Sequence, residues 1–198
     1  MKPGTMKRRG VLLLLPLLTA CGLSERPYAE RREWPLLVRR PQALPPRPGG
    51  PVLEVRTLRA GPGLEVRGLQ TLQPDGSIRT GYYEEWSVPP AQGVEDALRQ
   101  WLADCGRYSA VLAPGSRMPA DLALEGELTA LWTEPAAQRA DAAVSVVVVQ
   151  QAGATPHIML QRTASAEAPL AGATPPDAVA AQLAALTEVF QKIEAALG

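Results

Sequence analysis

The residue of this chain with the clearest chemical context is a thiol. Cys21 closes the stretch Leu18-Thr19-Ala20-Cys21, after positive charges at Lys2, Lys7, Arg8 and Arg9 and an apolar run from Val11 to Leu18. Charge, apolar run and small residues, in that order, mark a secretory signal ending at a cleavage site. The other candidate groups lack partners. His157 is the only histidine, and Ser109, Ser116 and Ser145 stand in no nucleophile motif. No Cys-x-x-Cys, His-Glu-x-x-His or phosphate-binding Gly-rich pattern occurs. Glu84-Glu85 reads as a solvated strand segment beside Trp86 rather than an acid pair. The sequence therefore predicts no enzyme, no metal and no cofactor.

The cysteine motif resembles the bacterial lipoprotein signal. That resemblance implies a diacylglyceryl thioether on Cys21, removal of residues 1–20, and usually a third acyl chain on the new amino group. Each buried methylene contributes about 0.8 kcal/mol, so one chain holds marginally and two or three hold persistently. The alternative readings are an uncleaved transmembrane helix and a cysteine closing a core helix. A span needs about 20 apolar residues, and this shorter run is broken by Pro16. Gly22 stands where an inner-membrane retention signal usually carries Asp, which by the same resemblance directs the protein to the outer membrane, facing the periplasm.

Residues 1–20 hold four of the 20 basic residues and none of the 20 acidic ones, so the remaining chain carries a net charge of about −4. A mildly acidic chain without a basic cluster is a poor nucleic-acid partner. Once Cys21 is acylated, only Cys105 remains, and no intramolecular disulfide can form. The length suits one domain with a proper core. Residues 21–33, polar and charged, are expected as a flexible tether, and residues 34–198 as a single α+β periplasmic domain with a Pro/Gly-rich connection over 41–51.

Within the domain, residues 34–40, 52–58 and 64–72 are strand candidates. Pro74-Asp75-Gly76 is a turn, leading to a strand over 77–87. There, alternation assigns Tyr82 and Trp86 to one face and Tyr83 to the other. Pro89-Pro90 opens a helix in which Val94, Ala97, Leu98, Trp101, Leu102 and Cys105 share a face, with Gly106 as its stop. Cys105 is thereby read as a small buried residue. Residues 122–132 alternate as a half-buried strand with a bulge at Gly126. Residues 143–150 are apolar on both faces and predict a central strand covered on both sides, with residues 157–163 beside it. A second helix starts at Pro175, with Val179, Leu183, Leu186, Phe190, Ile193 and Leu197 at core spacing. The expected architecture is a mixed or antiparallel sheet of about six strands with two amphipathic helices packed on it.

The run Tyr82-Tyr83-Glu84-Glu85-Trp86-Ser87-Val88-Pro89-Pro90, followed by Val94, Leu98 and Leu102, resembles the signature of the ABC-type transport auxiliary lipoproteins, the paraquat-inducible protein C family. The resemblance extends to the cysteine motif, the strand over 121–132, the valine strand and the last helix. Members usually carry a Tyr-Arg pair one strand earlier, where this chain has Leu69-Gln70-Thr71-Leu72. What the resemblance implies is an outer-membrane accessory of an ABC-driven lipid transport system. It would dock a periplasmic protein with mammalian cell entry (MCE) domains, with the ATPase residing elsewhere.

The residues expected at that docking surface are Tyr82, Tyr83, Trp86, Pro89 and Pro90, because aromatic anchors concentrate interface energy. The competing reading places Trp86 in the core. The C-terminal helix is likewise read as core, with a partner-helix role left open, and homo-oligomerisation is left open for the chain as a whole. A lipoprotein that itself carries lipid, and a structural or inhibitory lipoprotein unrelated to transport, are the alternative functions.

Overall fold

The computed structural model describes residues 30–153 and 155–198. Cys21, the signal-like residues 1–20 and most of the expected tether lie outside them. Nine strands form one sheet: β1 (Arg32–Trp34), β2 (Val52–Val55), β3 (Arg59–Ala60), β4 (Gly68–Leu72), β5 (Ile78–Trp86), β6 (Ala110–Leu112), β7 (Leu122–Glu134), β8 (Arg139–Gln150) and β9 (His157–Pro169). Two helices complete the fold, α1 (Pro90–Ala103) and α2 (Pro175–Ala196). The α+β class is as expected. The strand number rises from six to nine, because β1, β3 and β6 have only two or three residues each, too few to carry a period.

The spine is β7. On one edge it pairs antiparallel with β8 from Leu122↔Gln150 to Glu134↔Arg139. On the other it takes three short parallel strands in succession, β2 at Leu53↔Leu122, β3 at Arg59↔Glu127 and β4 at Thr71↔Thr133. β6 lies outside β2, while β5 and then β1 lie outside β4. β9 pairs with the far side of β8.

Both helices lie on one face of this sheet, α2 against β7, β8 and β9, and α1 against β3, β6 and β7. Alternation in β8 buries Ala140, Ala142, Val144, Val146 and Val148 on that face. Ala164, Ala166 and Ala168 of β9 are buried there too, and their small side chains let α2 lie close. The expectation that β8 is covered on both sides is corrected. Asp141, Ala143, Ser145, Val147 and Val149 are only half-buried on a face without helices. A valine run reads as doubly covered because β-branched residues suit either face of a strand.

Three further boundaries differ. The first strand is Arg32–Trp34, inside the segment expected as tether, rather than 34–40. Residues 35–40 keep the alternation without a ladder, burying Leu36 and Val38. The bulge of β7 falls between Leu128 and Ala130, not at Gly126. Gly126 instead makes room for the neighbouring strand, since a Cβ there would lie 2.6 Å from the Ser145 carbonyl oxygen.

Pro90 occupies the first turn of α1, where its missing N–H costs nothing. The helix buries Val94, Ala97, Leu98, Trp101 and Leu102 as its spacing predicts, and Gly106 follows at φ +73°. Thr174 and Asp177 form a reciprocal capping box at the start of α2, an arrangement that contributes about 1 kcal/mol. The helices meet through Trp101 and Phe190, whose rings stand edge to face at 5.7 Å.

Candidate functional site

Five residues were expected together at a docking surface, and the structure separates them. Trp86 is 1 % exposed and belongs to the core, and Pro90 is buried at the first turn of α1. Pro89 is exposed and lines a groove with Thr57, Glu65, Gln92 and Pro114. Tyr82 and Tyr83 are both exposed, at 70 % and 48 %, so alternation does not assign them to opposite faces.

The reason lies in the pairing of β4 with β5. Gly68 pairs with Glu85 and Gln70 with Thr80, so the residues between Thr80 and Glu85 oppose Leu69 alone. The extra residues form a bulge longer than the usual single insertion. Two glycines make it possible: a Cβ on Gly68 would collide with the Gly81 carbonyl oxygen, and one on Gly81 would lie 2.9 Å from the Glu84 carbonyl oxygen. The bulge presents both tyrosine rings to solvent, edge to face at 4.9 Å, with the Arg31 guanidinium 5.3 Å from the Tyr82 ring centre. A cation over an aromatic face contributes about 0.5–1 kcal/mol at an exposed site.

Beneath the rings, β1 runs parallel to β5 through Arg32↔Glu84, Glu33↔Glu85 and Trp34↔Trp86. Trp34 Nε1–H donates to Glu84 at 2.7 Å. Arg67 Nε–H donates to the Trp86 carbonyl at 2.8 Å, and its guanidinium also meets Glu33 at 2.9 Å and Glu85 at 3.4 Å. Arg31 reaches Glu85 at 3.5 Å, and Arg32 reaches Glu84 at 4.0 Å. The carboxylates sit inside, 13 % and 23 % exposed, under arginines that are 50 % and 61 % exposed. What faces outward is thus tyrosine and arginine, together with Glu33.

Sequence reasoning missed a second polar centre where α2 ends. Trp101 Nε1–H donates to Glu194 at 2.7 Å, and Arg40 donates to the same carboxylate at 3.1 Å and 3.2 Å. Arg107 donates to the Glu194 backbone carbonyl at 2.8 Å. Burial works to raise the Glu194 pKa, but the hydrogen bonds from Arg40 and Trp101 outweigh it and hold the carboxyl below its ordinary range. The centre ties the segment before β2 to both helices. No local signal announces it, because its members stand up to 154 positions apart.

Cys105 is buried as expected, and burial raises its thiol pKa, which keeps it protonated and unreactive. His157 is exposed at the start of β9. Among the described residues no group of His, Cys, Asp or Glu is arranged to hold a metal ion, and no helix is long and apolar enough to cross a membrane. The helix-free face carries ion pairs at Arg56–Glu125 and Arg59–Glu127 and a Ser145–Thr163 hydroxyl contact of 2.8 Å.

Solved structures share this fold. A Xanthomonas campestris protein of the DUF330 family superposes with a TM-score of 0.63 at 17 % identity, covering 80 % of this chain and 88 % of its own. An uncharacterized protein gives 0.60 at 11 % identity, covering 82 % and 99 %. A hypothetical protein from Chlamydia trachomatis gives 0.52 at 12 % identity, covering 75 % and 95 %. No curated protein matches the chain. The model of one family, described as the ABC-type transport auxiliary lipoprotein component, matches residues 36–194, from the buried Leu36 to the Glu194 centre. The protein therefore belongs to the ABC-type transport auxiliary lipoprotein family, a family of membrane-anchored envelope components that serve ABC transport systems.

Proposed function

We propose that the chain is acylated on Cys21, held at the periplasmic face of the outer membrane, and docks there the MCE-domain conduit of an ABC-driven lipid transport system. The observation that carries this reading is the family match over residues 36–194 joined to the cysteine motif upstream of it. Catalysis is not part of the reading, since the family is an auxiliary transport component and no nucleophile, base and orienting group stand together among the described residues.

On this reading the labour is divided. The domain supplies a rigid body, the anchor fixes it to a membrane, and the partner supplies the lipid path. Pro89 and the groove beside it are the part of the expected docking set offered to a protein partner. The alternative in which the chain itself carries lipid has less support. The space between sheet and helices is filled by Trp86, Trp101, Phe190, Leu98, Leu124, Leu128 and Leu186, all below 2 % exposure.

Labelling with radioactive palmitate in a bacterial host tests the anchor. The wild-type chain is expected to take up label and fractionate with the outer membrane, and Cys21→Ala to take up none. Label on the Cys21→Ala chain, or a wild-type chain free of label, overturns the reading.

A further inference from the structure

We propose that the bulge of β5 is a bilayer contact, in which the Tyr82 and Tyr83 rings and the Arg31 and Arg32 guanidinium groups rest at the headgroup level of the membrane that holds the anchor. The proposal rests on the reading that Cys21 is acylated, and it adds which side of the domain the membrane sees.

The argument begins with where the chain leaves the domain. Arg31 lies under the Tyr82 ring, and the next residues, Arg32–Trp34, are already paired with β5. Ten Cα–Cα steps, through the nine residues 22–30, separate Arg31 from Cys21. Fully extended, they reach at most about 35 Å, less than the roughly 40 Å breadth of a domain of this size. With the acyl chains in the bilayer, the edge formed by β1 and β5 is the nearest part of the domain to the membrane. A domain turned the other way would need a connection longer than this one.

The chemistry of the edge suits that position. Tyrosine concentrates at membrane interfaces because its ring is apolar and its hydroxyl prefers water and headgroups. Two such rings, 70 % and 48 % exposed, stand side by side on a backbone shaped by Gly68 and Gly81 to present them. The arginines beside them face outward together with Glu33, while the Glu84 and Glu85 they pair with are mostly covered, so the outermost guanidinium groups are within reach of phosphates. Both arginines precede the family-matched segment, which starts at residue 36. Tyr82 and Tyr83 lie within it, so the edge joins the approach to the domain with the shared body of the fold.

Site-specific photo-crosslinking in the acylated full-length protein tests the contact. Tyr82 and Tyr83 are replaced in turn by p-benzoylphenylalanine, with Gln161 on the exposed outer strand β9 as the control position. Each protein is reconstituted into phosphatidylethanolamine–phosphatidylglycerol vesicles, floated on a gradient, irradiated and examined by mass spectrometry, with and without the MCE-domain protein. The expected result is flotation of all three, with phospholipid adducts at positions 82 and 83 in several-fold excess over position 161. Flotation with no such excess overturns the contact while leaving the anchor in place. Adducts at 82 and 83 to the MCE-domain protein or to a second copy of the chain, in place of lipid, overturn it in favour of protein docking. A wild-type chain that does not float removes the anchor and the contact with it.

Discussion

Trp86 and Tyr82 stand four residues apart on one strand and have opposite surroundings. Trp86 is 1 % exposed in the hydrophobic core, whereas Tyr82 is 70 % exposed beside Arg31. Residue type does not sort them, since both are large aromatics, and neither does strict alternation, which would give them the same face. The sorting is done by the backbone, in a bulge that the close approach of Gly68 and Gly81 allows. Strand β5 therefore has two surroundings along its length: its end closes the core, and its bulge stays in solvent.

The comparison breaks first at the core. Leu98 is fully buried on α1, in the same cluster as Trp86. Leu98→Ala is expected to destabilise the protein by about 2–5 kcal/mol through lost apolar burial and a residual cavity. That is a large share of the ~5–15 kcal/mol that holds a typical domain folded. Thermal or denaturant unfolding measures it, and a variant that unfolds like wild type contradicts the placement of this helix face.

An intermediate effect is expected at the Glu194 centre. A carboxyl whose folded pKa is depressed contributes stability above its unfolded pKa and loses that contribution as pH falls through the folded value. The hydrogen bonds from Arg40 and Trp101 should thus stabilise the protein at neutral pH and fade below the ordinary glutamate range, about 4.3. Glu194→Gln is expected to cost about 1–2 kcal/mol at pH 7. The cost should shrink on acidification, as read from melting temperatures across a pH series. A cost independent of pH would contradict the ionic character of the centre.

How much of this was legible in the sequence depends on the distance over which each feature is determined. Both helices announced themselves by apolar spacing and their prolines, and β7, β8 and β9 by alternation. β1, β3 and β6 did not, since two or three residues become a strand only when a distant partner supplies the ladder. The covered face of β8 was legible and its bare face was not, because the valines describe the strand and not the number of helices available to cover it. The bulge needs Gly68 beside Gly81, and the Glu194 centre needs Arg40, Trp101 and Arg107 brought to one helix end. Both are consequences of the assembled fold. The docking set was legible only as composition, and the structure dispersed it into core, groove and edge.

The smallest expected effect on stability is at the bulge. Tyr83→Ala removes a half-exposed ring, and surface changes of that kind usually stay within about 0.5 kcal/mol. A large drop in melting temperature would mean that the ring supports the fold and would erase the distinction between the two ends of β5.

Co-elution from a sizing column in mild detergent, with the acylated full-length chain mixed with an MCE-domain protein from the same envelope, tests the central claim most directly. The account predicts one complex peak for wild type, the same complex for Tyr83→Ala, whose ring is assigned to the bilayer, and for the destabilised Leu98→Ala a complex that is lost only in step with unfolding. A folded, acylated wild-type chain that elutes apart from the MCE-domain protein would contradict it.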